Sequence, residues 1–177
     1  MRHSVATTYR AIAGAVALFF ILYCASFDQT ASRVIVAANG AQDSAAQAYT
    51  EAKTATVAAG KTCGEAGRAA GIALPPITDK ASGAAAIAAC KALGVNVPYN
   101  PFVLNQLVGP LNAAYDAIRG LNDARVAVKA GQANDFYGML NKALGAVTQF
   151  YAAAKEAGLT VNVAPLERLQ EEAKHVK

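Results

Sequence analysis

Five side chains carry the most readily placed chemistry in this chain: Cys24, Cys63, Cys90, His3 and His175. The two histidines lie near opposite ends. Neither can join a Ser/Cys–His–Asp relay unless a folded terminus reaches a pocket. No CxxC, HExxH, GxSxG or GxGxxG motif occurs. The carboxylates are scattered along helix-compatible stretches. Glu171-Glu172 falls in a polar terminal segment, so a solvated face is expected for them. The reading at this level is a protein that is not an enzyme, with no catalytic residue, no cofactor and no metal site.

Residues 55–62, ATVAAGKT, stand one residue from a phosphate-binding loop. That loop needs a leading Gly so that backbone amides can curl round the phosphates, and here Ala55 takes the place. A strand should precede it and a helix follow, whereas a helical pattern comes first. No hydrophobic strand ending in Asp follows to hold magnesium. No nucleotide partner is expected.

The cysteines are more informative. In an exported compartment two thiols most simply pair, which makes Cys63–Cys90 the expected disulfide. It would close a loop of 28 positions, contributing on the order of 3 kcal/mol in the chain-entropy model. The alternative is two buried free thiols. Cys24 is then left over, as an inert membrane thiol or as an acylation site.

Aromatic residues concentrate in the second half: Tyr99, Phe102, Tyr115, Phe136, Tyr137, Phe150 and Tyr151. Phe136-Tyr137 and Phe150-Tyr151 are 14 positions apart, so the pairs share a helical face. Core and rim of a helical hairpin is one reading. An aromatic strip for a partner protein, joined by Tyr49, is the other, because Tyr and Phe anchor many interfaces.

The elements that must position these residues begin with an uncharged apolar run over residues 11–27, AIAGAVALFFILYCASF. Arg2, His3 and Arg10 precede it and Asp28 follows. The basic flank predicts an N-terminus held in the cytoplasm and a bulk that leaves it. The expected division is a cytoplasmic segment 1–10, a transmembrane or signal segment 11–27, and an exported helical domain 28–177. The run's 17 residues span about 25 Å as a helix, against a hydrocarbon core of ~30 Å. Three outcomes compete. A retained signal anchor is supported by helix-compatible sequence after Asp28 and by Tyr23 and Phe27 at an interface depth. A cleaved signal peptide is supported by the small residues at Cys24-Ala25-Ser26. A lipoprotein acylated at Cys24 is supported by Ile21-Leu22-Tyr23-Cys24, although Tyr23 sits where a small residue belongs.

The net charge is +4. Arg2 and Arg10 account for two of these charges, leaving +2 beyond the apolar run. Lys and Arg occur singly, so no nucleic-acid surface is expected. From Ala31 a heptad-like series runs through Ile35, Ala38, Gln42, Ala45, Tyr49, Ala52, Thr56 and Ala59. Its small residues predict a long helix packed closely on a partner helix. If the anchor is retained, the two helices would be continuous for about 75 Å. Asn39-Gly40 is the expected weak point, and residues 60–71, GKTCGEAGRAAG, are expected to end or fray the helix.

Further along, Leu74-Pro75-Pro76-Ile77 must be extended. Thr78 or Asp79 should cap a short helix that Gly94 terminates. Pro101 should open the next helix, and Gly109-Pro110 should kink or split it. Gly131 with Asn134-Asp135 should turn the chain into a last long helix ending at Gly158. Gly71, Gly94 and Gly158 each precede alternating apolar residues, a repeated device that stops a helix and docks an extended segment.

The fold expected is therefore all-α: an anchor helix, then an Ala-rich antiparallel helical bundle with short extended Gly/Pro connections. The function expected is a non-catalytic, single-pass inner-membrane protein whose periplasmic domain binds another envelope protein or complex. The alternative is a secreted or lipid-anchored helical carrier of a small apolar ligand.

Overall fold

A computed structural model describes the backbone of residues 4–132 and 135–176, and the side chains from Phe27 onward within those limits. The described residues form six helices and no strand. These are α1 (Ser4–Ala69), α2 (Lys80–Ala92), α3 (Pro101–Gln106), α4 (Val108–Lys129), α5 (Phe136–Glu156) and α6 (Ala164–Lys174). Most of residues 11–27, Cys24 included, lie outside the described side chains, so the anchor and acylation expectations fall outside them too. Among the described residues no helix is long and apolar enough to cross a membrane.

The segment of α1 beyond Phe27 packs with α4, α5 and α6 as a four-helix bundle. Long-range contacts set the directions. Asp28 meets Arg125, close to the end of α4, so α4 runs antiparallel to α1. Phe27 packs edge-on against Phe136 at the start of α5, and Tyr151 reaches the Ala41 carbonyl, so α5 runs with α1. Asn162 lies beside Ser44, and Ala164 and Arg168 lie beside Val36 and Gly40, so α6 returns antiparallel.

The small-residue series of α1 faces this core. Ala31, Ile35, Ala38, Ala45, Tyr49, Ala52 and Thr56 are buried, and Gln42 and Ala59 are half-buried. Val34, Ala37 and Ala41 widen the stripe. Larger partners fill the opposite side: Ile118 and Leu121 from α4, Phe136, Val147 and Phe150 from α5, Leu169 from α6. Ala on one wall packs against Leu or Phe on the other.

Helix ends follow local chemistry. Asp79 accepts from the Ser82 amide while the Ser82 hydroxyl sits against the Asp79 amide, a reciprocal capping box at the start of α2. Asn100 Oδ1 caps α3 ahead of Pro101. Asp135 accepts from the Gly138 amide at the start of α5. Gly71, Gly94, Gly131 and Gly158 all have positive φ, between 66° and 78°. In each case the next amide bonds back to a carbonyl five residues earlier, as Ile72 does to Gly67 at 2.8 Å and Val95 to Cys90 at 2.9 Å. The device seen at Gly71, Gly94 and Gly158 in the sequence thus recurs a fourth time at Gly131.

One expectation is corrected and two are placed more closely. α1 does not break at Asn39-Gly40, because Ala38 and Ala41 on either side are locked into the core. It ends within residues 60–71 as expected, but only at Ala69, after running without fraying through Gly60, Gly64 and Gly67, because the next segments pack against that stretch. Gly67 is required there: a Cβ would sit 3.0 Å from the Ile72 carbonyl oxygen. The split expected from Gly109-Pro110 is present, and it falls at Leu107, one turn ahead of the proline. Pro110 lacks an N–H for the Gln106 carbonyl, and its ring excludes that carbonyl, so the interruption lies before the proline.

The distal part of α1 carries a second, smaller lobe. Cys63, Cys90 and Val97 form its centre, with Ala59, Leu74, Ile87, Leu93 and Val95 around them. Asn100 ties lobe to bundle, since its Nδ2 donates to the Lys80 carbonyl while its Oδ1 caps α3. Gly83 makes room for it, because a Cβ at Gly83 would strike the Asn100 side chain.

Candidate functional site

Cys63 and Cys90 lie at disulfide distance, with Sγ atoms 2.03 Å apart. The bond staples α2 to the far end of α1. Cys63 is fully buried and Cys90 nearly so, which places the bond in the lobe's interior, away from reactive surface positions.

The aromatic residues separate by burial. Phe136, Phe150, Tyr151 and Tyr49 are in the core, leaving only Tyr137 of the five at the surface, 42% exposed. This corrects the partner-strip reading of the first four and leaves it open for Tyr137 alone. The shared face was legible in the spacing, but it is the face turned toward α1. Phe27 stacks on Phe136 with ring centres 5.2 Å apart. The Tyr151 hydroxyl donates to the Ala41 carbonyl at 3.0 Å, and burial pushes its pKa up. Lys53 lies over the Tyr49 ring at 5.7 Å.

Two buried hydroxyls, Tyr49 Oη and Thr56 Oγ1, have no hydrogen-bond partner. They sit one heptad apart on α1, toward the junction of bundle and lobe. An unmet buried hydroxyl costs about 1–3 kcal/mol, so this junction is a weaker seam than the bundle core.

Charged groups serve structure. The Arg125 guanidinium, joined by Lys129, holds the Asp28 carboxyl below its ordinary pKa against partial desolvation. The Ser82 amide and hydroxyl do the same for Asp79, and Lys174 does so for Glu171. His175 meets Glu171 at 3.6 Å on an exposed turn. Among the described residues no group of His, Cys, Asp and Glu is arranged to hold a metal ion. Residues 55–62 are helical throughout, with the Thr62 hydroxyl bonded to the Ala58 carbonyl at 3.2 Å. Their amides are engaged within the helix and form no cradle.

The concave surfaces differ in character. Polar grooves run along α1, one beside α4 at Asn39, Gln42, Tyr115 and Arg119, another beside residues 160–162 at Asp43, Ser44 and Gln47. The lobe instead carries an apolar groove of about 130 Å³, between α1, α2 and the two extended connections. Gly60 forms part of its wall, together with Leu74, Pro75, Ile77 and Ile87. Sequence reasoning missed this groove. Its signals were read as a frayed helix end at Gly60 and an extended linker at Leu74–Ile77, and nothing in their spacing says that they meet.

No protein-family model, characterised protein or solved structure matched the chain.

Proposed function

We propose that this chain is a non-catalytic, membrane-tethered envelope protein whose helical domain binds or scaffolds another envelope protein. The observation that carries the reading is the uncharged run over residues 11–27, behind Arg2 and Arg10. The passage of α1 from that run into the bundle as one helix, Ser4–Ala69, supports retention over cleavage. From Asp28 to Ala69, α1 extends about 63 Å at ~1.5 Å per residue. A tether of that length carries the lobe well away from the bilayer. The Cys63–Cys90 pairing suits an oxidising compartment.

The carrier alternative draws less support. Small-molecule sites occupy about 300–1,000 Å³, and the lobe's apolar groove holds about 130 Å³. A groove that size accepts a side chain rather than a lipid.

Intact-mass analysis of the membrane-extracted protein, paired with affinity purification, tests the proposal. The expected mass is that of the uncleaved, unacylated chain less two hydrogens, with an envelope protein recovered in fixed stoichiometry. A mass beginning after Ser26, or a chain that purifies alone under several extraction conditions, would overturn it.

A further inference from the structure

Gly60 lies inside α1, where glycine is less favourable than alanine by ~1 kcal/mol. A Cβ at Gly60 would meet no heavy atom within 4 Å. Neither helix packing nor backbone conformation calls for glycine there, unlike Gly67 or Gly83. Gly60 instead lines the wall of the lobe's groove, where it adds no side chain. Opposite stand Leu74, Pro75 and Ile87, with Ile77 42% exposed at the rim.

The volume, about 130 Å³, resembles the ~150 Å³ cavity that accommodates a benzene ring. It takes one aliphatic or aromatic side chain.

The charge around it is lopsided. Over residues 59–97, the lobe, there are four cations, Lys61, Arg68, Lys80 and Lys91, and two anions, Glu65 and Asp79. Asp79 is engaged by the α2 cap. Lys61, Lys80 and Lys91 each lie within three positions of a groove residue (Gly60, Ile77, Cys90) and are exposed. None has an ion-pair partner among the described residues. The lobe therefore carries +2 of the chain's net +4.

We propose that the groove docks an extended, acidic segment of a partner protein, seating one apolar side chain between Gly60 and Ile87 and setting flanking carboxylates against Lys61, Lys80 and Lys91. This rests on the reading of the chain as an envelope adaptor and names the adaptor's contact surface. A lipid surface fits less well, because it favours clusters of four to eight cations on an open face. A second copy fits less well too, since two lobes bring like charge together.

The test uses the full chain in nanodiscs, oxidised, screened against a phage-displayed random peptide library. Enriched peptides should carry Asp or Glu beside a large apolar residue and bind more weakly as salt rises. Gly60→Leu fills the groove from its own wall while favouring the helix. It should weaken those peptides about 10- to 100-fold, the worth of one buried aliphatic side chain, with no fall in melting temperature. The surface pair Lys61→Glu with Lys91→Glu should weaken them at low salt and matter little at high salt.

Enrichment of uncharged or basic peptides, or equal binding by Gly60→Leu, overturns the proposal. So does enrichment of no peptide while phosphatidylglycerol vesicles bind through the lysines, or concentration-dependent self-association abolished by Gly60→Leu. An envelope partner that co-purifies equally with wild type and Gly60→Leu overturns the groove but leaves the adaptor reading standing. A chain that purifies alone removes the adaptor reading itself.

Discussion

At the residue scale, Asp28 is the group with most at stake. It stands where α1 enters the bundle, 2.8 Å from Arg125 Nη2 and 3.3 Å from Lys129 Nζ. The Arg125 hydrogen bond is the largest of the effects that hold its pKa below the ordinary aspartate value, and Lys129 adds to it. A carboxyl whose folded pKa is depressed contributes stability above its unfolded pKa, near 3.8. That contribution fades as pH falls through that value toward the folded one. Asp28→Asn should therefore lower stability at neutral pH and flatten its fall below about pH 4. Urea unfolding across that range, wild type against variant, gives the comparison. Parallel curves would show that the pair adds nothing, as many exposed pairs do not.

At the element scale, the glycines of α1 are not equivalent, although the sequence presents them alike. Gly40 meets nothing within 4 Å of an added Cβ, whereas Gly67 would press on the Ile72 carbonyl oxygen at 3.0 Å. Gly40→Ala should raise stability by about 0.5–1 kcal/mol, through helix propensity and a less flexible unfolded chain. Gly67→Ala should lower it, because the backbone turn at Gly71 must shift. Denaturant midpoints of the two variants should move in opposite directions. A shift of the same sign would mean that the Ile72 carbonyl yields the few tenths of an ångström that a Cβ at Gly67 needs.

At the scale of the whole molecule, a bundle and a lobe share one long helix, and their attachments differ in strength. The bundle rests on a contiguous core drawn from four helices. The lobe rests on three buried residues, a disulfide and the Asn100 bridge, next to two unmet hydroxyls. Reduction with a dithiol should release the lobe while the bundle persists. The entropic worth of the bond is about 3 kcal/mol, so amides of α2 and residues 95–97 should exchange about a hundredfold faster. Those of α4 and α5 should keep their protection. Uniform loss across both would show one cooperative unit in place of two.

Signals confined to a few neighbouring residues were sufficient in the sequence alone. The helical period of the seam from Ala31, the cap at Asp79, the opening of α3 at Pro101 and the stops at Gly71, Gly94 and Gly158 depend on backbone dihedrals and side chains within one turn. Pairing of Cys63 with Cys90 followed from the expectation that these two thiols share an oxidising compartment. Tertiary structure alone decided which face each stripe presents, and so turned Phe136, Phe150 and Tyr151 from interface candidates into core. It also carried α1 through Gly60, where local propensity predicts an end, because packing of α2 and its flanking loops outweighs the cost of glycine. The groove is the clearest case. Gly60, Leu74, Ile77 and Ile87 are brought together by contacts across tens of residues, and no spacing rule along the chain encodes a meeting made only when the helices pack.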